Sequence, residues 1–183
     1  MENGASGRSF LLFYIGDALY MVSVENIAAI SALPELTIQI PRSPPYVYGT
    51  CSFRGENCTI VDLDKLLERH CAGEESKKVY RSMVVLEHRL ALLVEQIVGV
   101  EAADDFLLLQ RSGFRGSGCV IRNVYRPSTE MWDFKLLKNA DELVFELDIF
   151  QLESKCRTSQ TDDTDIPGDV LKHQEEKNEY RNN

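Results

Sequence analysis

The stretch Phe10-Leu11-Leu12-Phe13-Tyr14-Ile15-Gly16-Asp17-Ala18-Leu19-Tyr20-Met21-Val22 decides the fold. Its first six residues are aromatic or aliphatic, and the run is too short for a helix that must bury one stripe, so it reads as a strand. Gly16-Asp17-Ala18 supplies turn chemistry, and Leu19 to Val22 returns as a second strand, giving a hairpin. Downstream, Val24 to Ile30 is apolar with mixed spacing and fits either a helical turn or a strand. Pro34, Pro41, Pro44 and Pro45 then exclude a central strand, because proline donates nothing to a ladder.

The pattern continues in short units. Tyr46 to Phe53 reads as a strand, Arg54-Gly55-Glu56-Asn57 as a polar turn, and Cys58 to Val61 as the returning strand. Asp62 or Asp64 is placed to cap a short helix through Leu66 and Leu67. After a charged linker near residues 72–78 the pattern restarts. Met83 to Leu86 and Leu90 to Val94 form a hairpin around Glu87-His88-Arg89, Ile97 to Val100 is a further apolar run, and Leu143 to Leu147 is a closing strand. Val61-Asp62-Leu63-Asp64-Lys65-Leu66 echoes Leu147-Asp148-Ile149-Phe150-Gln151-Leu152. Either two related halves each end in a strand and a capped turn, or aspartate has twice been used for the same local purpose. The sum is an all-β chain, barrel or sandwich.

Composition bounds the function. The 183 residues carry 20 basic and 29 acidic side chains, a net charge of −9, which disfavours nonspecific binding to nucleic acid or to an anionic membrane face. No run approaches the roughly 18 apolar residues of a membrane-spanning helix, and Met1 to Ser9 lacks the apolar centre of a secretory signal. Five cysteines without a C-x-x-C spacing read as reduced thiols rather than a disulfide framework. Residues 155–183 hold too few apolar side chains to offset a backbone ordering cost of about 1–2 kcal/mol per residue, so a disordered tail is expected there.

The inventory of chemistry is nearly empty. His70, His88 and His173 are the only histidines, and there is no G-x-S-x-G. Gly113-Phe114-Arg115-Gly116-Ser117-Gly118 reverses the spacing of a dinucleotide loop and reads as a surface loop. Glu101, Asp104 and Asp105 read as a turn cap rather than a paired-carboxylate site. No metal or cofactor is expected. What is left is a binding module. The competing reading is a small thiol or metal enzyme, which requires Cys58, Cys71 and His88 to converge.

The order of segments resembles the CheW-like family of chemotaxis coupling proteins. The resemblance rests on Phe10 to Ile27, on Tyr48-Gly49-Thr50-Cys51-Ser52-Phe53-Arg54-Gly55, which is similar to the family's G-x-x-N-L-R-G, and on Ile60-Val61-Asp62-Leu63. It continues in Arg89 to Val100 and in Leu143 to Leu152. Ser52 and Phe53 replace the family's Asn and Leu, Thr59 its Pro, and Ala29 its Glu; the segment from Ser112 to Asn139 does not align.

The resemblance implies two intertwined five-stranded SH3-like barrels around a shared apolar core. It places a flexible start at 1–7, the domain at 8–154 and a tail at 155–183. It implies a cytoplasmic, non-enzymatic adaptor without membrane insertion. Such an adaptor couples the cytoplasmic tip of methyl-accepting chemoreceptors to the regulatory domain of a CheA-type histidine kinase, or serves another motility or two-component pathway. Carried over by motif, Arg54, Gly49 and Ile27 become receptor-binding residues, with Leu90 and Leu92 lining the same groove; the kinase-binding residues stay unassigned.

Overall fold

The computed structural model describes residues 7–67, 80–111, 119–128 and 142–158. The chain forms two sheets. One contains β1 (Ser9–Ile15), β2 (Ala18–Ser23), β8 (Gln96–Ala102), β9 (Phe106–Arg111), β10 (Ile121–Pro127) and β11 (Val144–Leu147), in the order β8-β1-β2-β11-β10-β9. The other contains β3 (Ile27–Ala32), β4 (Val47–Phe53), β5 (Glu56–Val61), β6 (Ser82–Leu86) and β7 (Leu90–Val94), in the order β3-β6-β7-β5-β4. Two short helices, α1 (Leu63–Leu66) and α2 (Ile149–Thr158), follow β5 and β11.

The connectivity is reciprocal. β3 follows the β1–β2 hairpin in sequence but pairs with β6; β8 follows the β6–β7 hairpin but pairs with β1. Each hairpin thus hands its next strand to the opposite sheet. Each sheet then gains one parallel pairing in the same relative place, β5 with β7 and β11 with β2. The two sheets are interleaved halves of one repeated plan, as the echo between residues 61–66 and 147–152 suggested. The strand count differs from the expected five and five. β9 adds a sixth strand at the edge of the first sheet, and the hydrogen-bonded order of neither sheet closes on itself.

Burial explains why the opening run is continuously apolar. Leu11, Phe13 and Ile15 enter the core shared by the two sheets, where they join Val84, Leu86, Leu92 and Val94. Phe10, Leu12 and Tyr14 point the other way, into a cluster private to the first sheet. β7 repeats the arrangement, with Leu90, Leu92 and Val94 in the shared core and Ala91 and Leu93 in the second sheet's own cluster. Strands buried on both faces lose the usual apolar–polar alternation, and each large side chain so buried contributes about 1.5–3 kcal/mol.

Val24–Asn26 is a 3-10 turn and Ile27 begins a strand, so the ambiguous segment is one and then the other. The proline-rich segment runs as loop, joined to β4 where Ile38 and Thr50 exchange backbone hydrogen bonds of 2.8 Å. The expected boundary after 154 falls inside α2, which continues to Thr158. Cys156 is only 7% exposed and packs into the shared core, and the Tyr46 hydroxyl donates to the Lys155 carbonyl at 3.4 Å, so packing on the sheets extends the helix past the polar composition. The linker near 72–78, the glycine-rich loop at 112–118 and residues 159–183 lie outside the described residues.

Candidate functional site

The β4–β5 hairpin turns through Arg54 and Gly55, both in the left-handed region with φ of 51° and 82°. That is the type I′ turn, which matches the twist of the flanking strands and holds its two central residues outward. Gly55 adopts the conformation at no steric cost; Arg54 is an uncommon residue there. The turn presents an exposed guanidinium that lies 5.2 Å from the centre of the Phe53 ring, within cation–π range. Among the described residues Arg54 has no carboxylate partner.

Beneath the guanidinium lies a cleft of about 300 Å³. Its floor includes Ala28 of β3, Cys58 of β5, and Val85 and Leu86 of β6, with Phe53 and Arg54 at one side. The opposite rim is Arg89, whose Nε and Nη2 donate to both carboxylate oxygens of Glu56 at 3.0 and 2.9 Å. Both partners are more than half exposed, so the pair adds little stability but fixes the two side chains. An apolar floor, one unpaired cation and a fixed ion pair suit a protein segment that brings an apolar side chain and an acceptor.

The other residues expected here fall elsewhere. Leu90 and Leu92 are 5% and 0% exposed in the shared core and do not line this cleft: the strand carrying them is central and covered on both faces. Ile27 pairs with Leu86 in the ladder and packs against the shared core, beside the cleft's Ala28 but not lining it. Gly49 is buried beneath the proline-rich loop. A Cβ built on it would meet the Ile38 carbonyl oxygen at 2.7 Å and Thr37 Cγ2 at 2.6 Å, and its φ is 155°. Its glycine is required by backbone crowding. Phe53, Ala28, Val85 and the Glu56–Arg89 pair were not singled out; the sequence signal available was an aromatic residue directly before the turn arginine.

The thiol reading loses its geometry. Cys58 lines this cleft, whereas His88 lines a different one on the other side of the β6–β7 turn, and Cys71 lies outside the described residues. Burial pushes the Cys58 thiol up to about 11, with the neighbouring Cys51 adding to it, which suppresses the nucleophilic thiolate. Asp105 acts as the turn cap expected of it, its Oδ2 accepting from the Ala102 amide at 3.2 Å. Among the described residues no three His, Cys, Asp or Glu side chains are grouped to hold a metal ion, and no helix is long and apolar enough to cross a membrane.

Two exposed apolar surfaces remain. Leu36 and Ile38, 86% and 72% exposed, ride on the proline-rich loop beside β4; Leu107, Leu108 and Leu109 stand along the edge strand β9 of the other sheet.

Comparison with known proteins is consistent with a contact protein. Residues 9–131 match the family model described as the CheW-like domain. Among solved structures, the scaffolding protein TtCheW from Thermoanaerobacter tengcongensis is similar in fold, with a TM-score of 0.56 over 81% of this chain and 94% of that one, at 16% sequence identity. No curated protein matches the chain.

Proposed function

The chain belongs to the CheW-like family, and from that premise we propose that it is a non-enzymatic, cytoplasmic adaptor of chemotaxis signalling. In this reading it holds a methyl-accepting chemoreceptor tip and the regulatory domain of a CheA-type histidine kinase in fixed relative geometry. Receptor state then biases kinase activity through differential contacts. The receptor tip lays an apolar side chain over Ala28 and Val85, and Arg54 donates a charge-assisted hydrogen bond to its carboxylate or carbonyl.

The observation that carries the proposal is the unpaired Arg54 guanidinium, held outward by a type I′ turn above an apolar floor. The exposed leucines of β9, on the opposite sheet, leave a second face for another protein, which an adaptor requires. Co-sedimentation of the chain with a membrane-inserted chemoreceptor fragment and a CheA-type kinase tests it. The expected result is that the chain pellets with receptor and brings additional kinase with it. Kinase recovery unchanged by addition of the chain overturns the proposal.

A further inference from the structure

A second cleft, of about 290 Å³, opens on the far side of the β6–β7 turn. Glu87 and Arg89 of that turn face the Arg54 cleft, whereas His88 faces this one. Its walls come from both halves of the molecule: Ser23 and Glu25 at the end of β2, Glu146 of β11, and Phe150 and Glu153 of α2. Phe150 and Glu153 are three residues apart on one helix, which places them on the same face.

The charges in the cleft sort themselves. Glu146, 3% exposed, accepts from Asn123 Nδ2 at 2.5 Å and from the Tyr125 hydroxyl at 2.9 Å. Arg122 lies between Asp148 at 3.5 Å and Glu146 at 3.9 Å. Arg8 sits over the Phe10 ring, 5.9 Å from its centre. Those groups have partners. Among the described residues, Glu153 Oε1 is shielded from solvent with no hydrogen-bond donor, and the Ser23 hydroxyl oxygen is in the same condition. A shielded carboxylate oxygen without a donor is costly, and native structures seldom keep one without a reason. At the mouth stands Phe150, a 73%-exposed aromatic ring.

We propose that this cleft is a socket for an arginine side chain of a partner protein. Two orphan oxygens, a further carboxylate on Glu25 and an exposed ring call for a planar, multiply donating cation that also stacks on an aromatic face. An anionic group is the poorer occupant, because Arg122 is already matched by Asp148 and Glu146 and Arg8 lies over the Phe10 ring, while Glu153 Oε1 has no donor. The socket is separate from the Arg54 cleft and does not rest on the receptor reading.

The test uses the full chain, isotopically labelled, with N-acetyl-arginine amide as the probe and N-acetyl-citrulline amide as its uncharged isostere. The arginine probe is expected to shift the amide resonances of Ser23, Glu25 and Glu153 saturably, and the citrulline probe to bind at least about tenfold more weakly. Glu153→Gln is expected to weaken the arginine probe about tenfold while leaving Tm unchanged, Ser23→Ala to weaken it less, and Arg54→Asn to leave it unaffected. Absence of saturable shifts, equal binding of the two probes, or unchanged binding in Glu153→Gln shows a cleft that holds water only and overturns the proposal. An unaltered response in Arg54→Asn separates this socket from the receptor cleft.

Discussion

Asp62 and Asp148 occupy the same place in the two halves of the chain. Asp62 Oδ1 accepts from the Lys65 amide at 3.3 Å and Asp148 Oδ1 from the Gln151 amide at 3.2 Å. Each also accepts, through its carbonyl, the amide four residues on, from Leu66 and Leu152. Each closes a strand that enters its sheet by the parallel pairing, β5 against β7 and β11 against β2. The two clefts lie on either side of the hairpin turn that these interleaved halves bring to the surface.

Arg54→Asn is expected to separate binding from stability. Asparagine tolerates the left-handed conformation that the type I′ turn imposes, so the hairpin is kept while the guanidinium is lost. Receptor affinity should fall about tenfold or more, and Tm should stay within about 1–2 °C of the wild type. Equal receptor titrations for variant and wild type would remove Arg54 from the interface.

Gly49→Ala should behave in the opposite way. The added Cβ meets the Ile38 carbonyl at 2.7 Å and the backbone φ of 155° is strained for any side chain, so the loop joined to β4 at Ile38 and Thr50 must shift. A loss of about 1–3 kcal/mol is expected in urea unfolding, with any binding defect following from it. A variant as stable as the parent that nevertheless fails to bind would instead make Gly49 a direct contact.

The end of the folded body is predicted to lie beyond Ser154. A chain ending at Ser154 loses the buried Cys156 and the carbonyl that accepts from Tyr46, whereas one ending at Thr158 keeps both. The shorter chain should be less stable by about 1–2 kcal/mol, read as a lower Tm. Equal melting of the two truncations would show that the last turns of α2 carry no packing energy.

Alkaline pH should weaken the fold. Burial raises Cys58 and Cys156 from 9.0 to about 11, and burial followed by the Glu146 charge raises Tyr125 from 10.0 to about 12. Tyr80 is raised as well, by burial and then by Asp62, to which its hydroxyl donates at 3.0 Å. The folded state therefore keeps protons that the unfolded chain releases. This stabilisation is complete below about pH 9 and is lost as pH climbs through the folded values toward 12. The urea midpoint, measured under reducing conditions, should fall over that window, and Tyr125→Phe should flatten the fall. A midpoint independent of pH across the window would contradict it.

The hairpins were legible because turn residues and apolar runs are local signals. Gly16-Asp17 and Arg54-Gly55 mark them directly, and the aspartates at 62 and 64 marked α1, whereas α2 was legible only as a turn at Phe150 and Leu152 and runs on into the stretch expected to be disordered. β9 and β10 were not legible. Leu107, Leu108 and Leu109 are exposed on an edge strand, so their pattern does not alternate, and the strand Ile121–Pro127 lies in the segment that motifs alone left unaligned, although the family model runs through it to residue 131. At the site, the family resemblance pointed to Arg54 and also to Gly49, Leu90 and Leu92, whose burial is not readable from the motif. Period-2 reasoning assigns faces without saying which of them is covered.

By itself the sequence determined an all-β chain of short paired strands, an acidic surface and an arginine at a hairpin tip, because propensity, turn chemistry and charge reside in neighbouring residues. Only the tertiary structure decided that β3 and β8 change sheets, that β1 and β7 are buried on both faces, and that Ala28, Phe53 and Val85 meet under Arg54 while Ser23 and Glu153 meet around another cleft. Those are contacts between segments far apart in the chain, and they are fixed by where a shared core can exclude water rather than by any local preference.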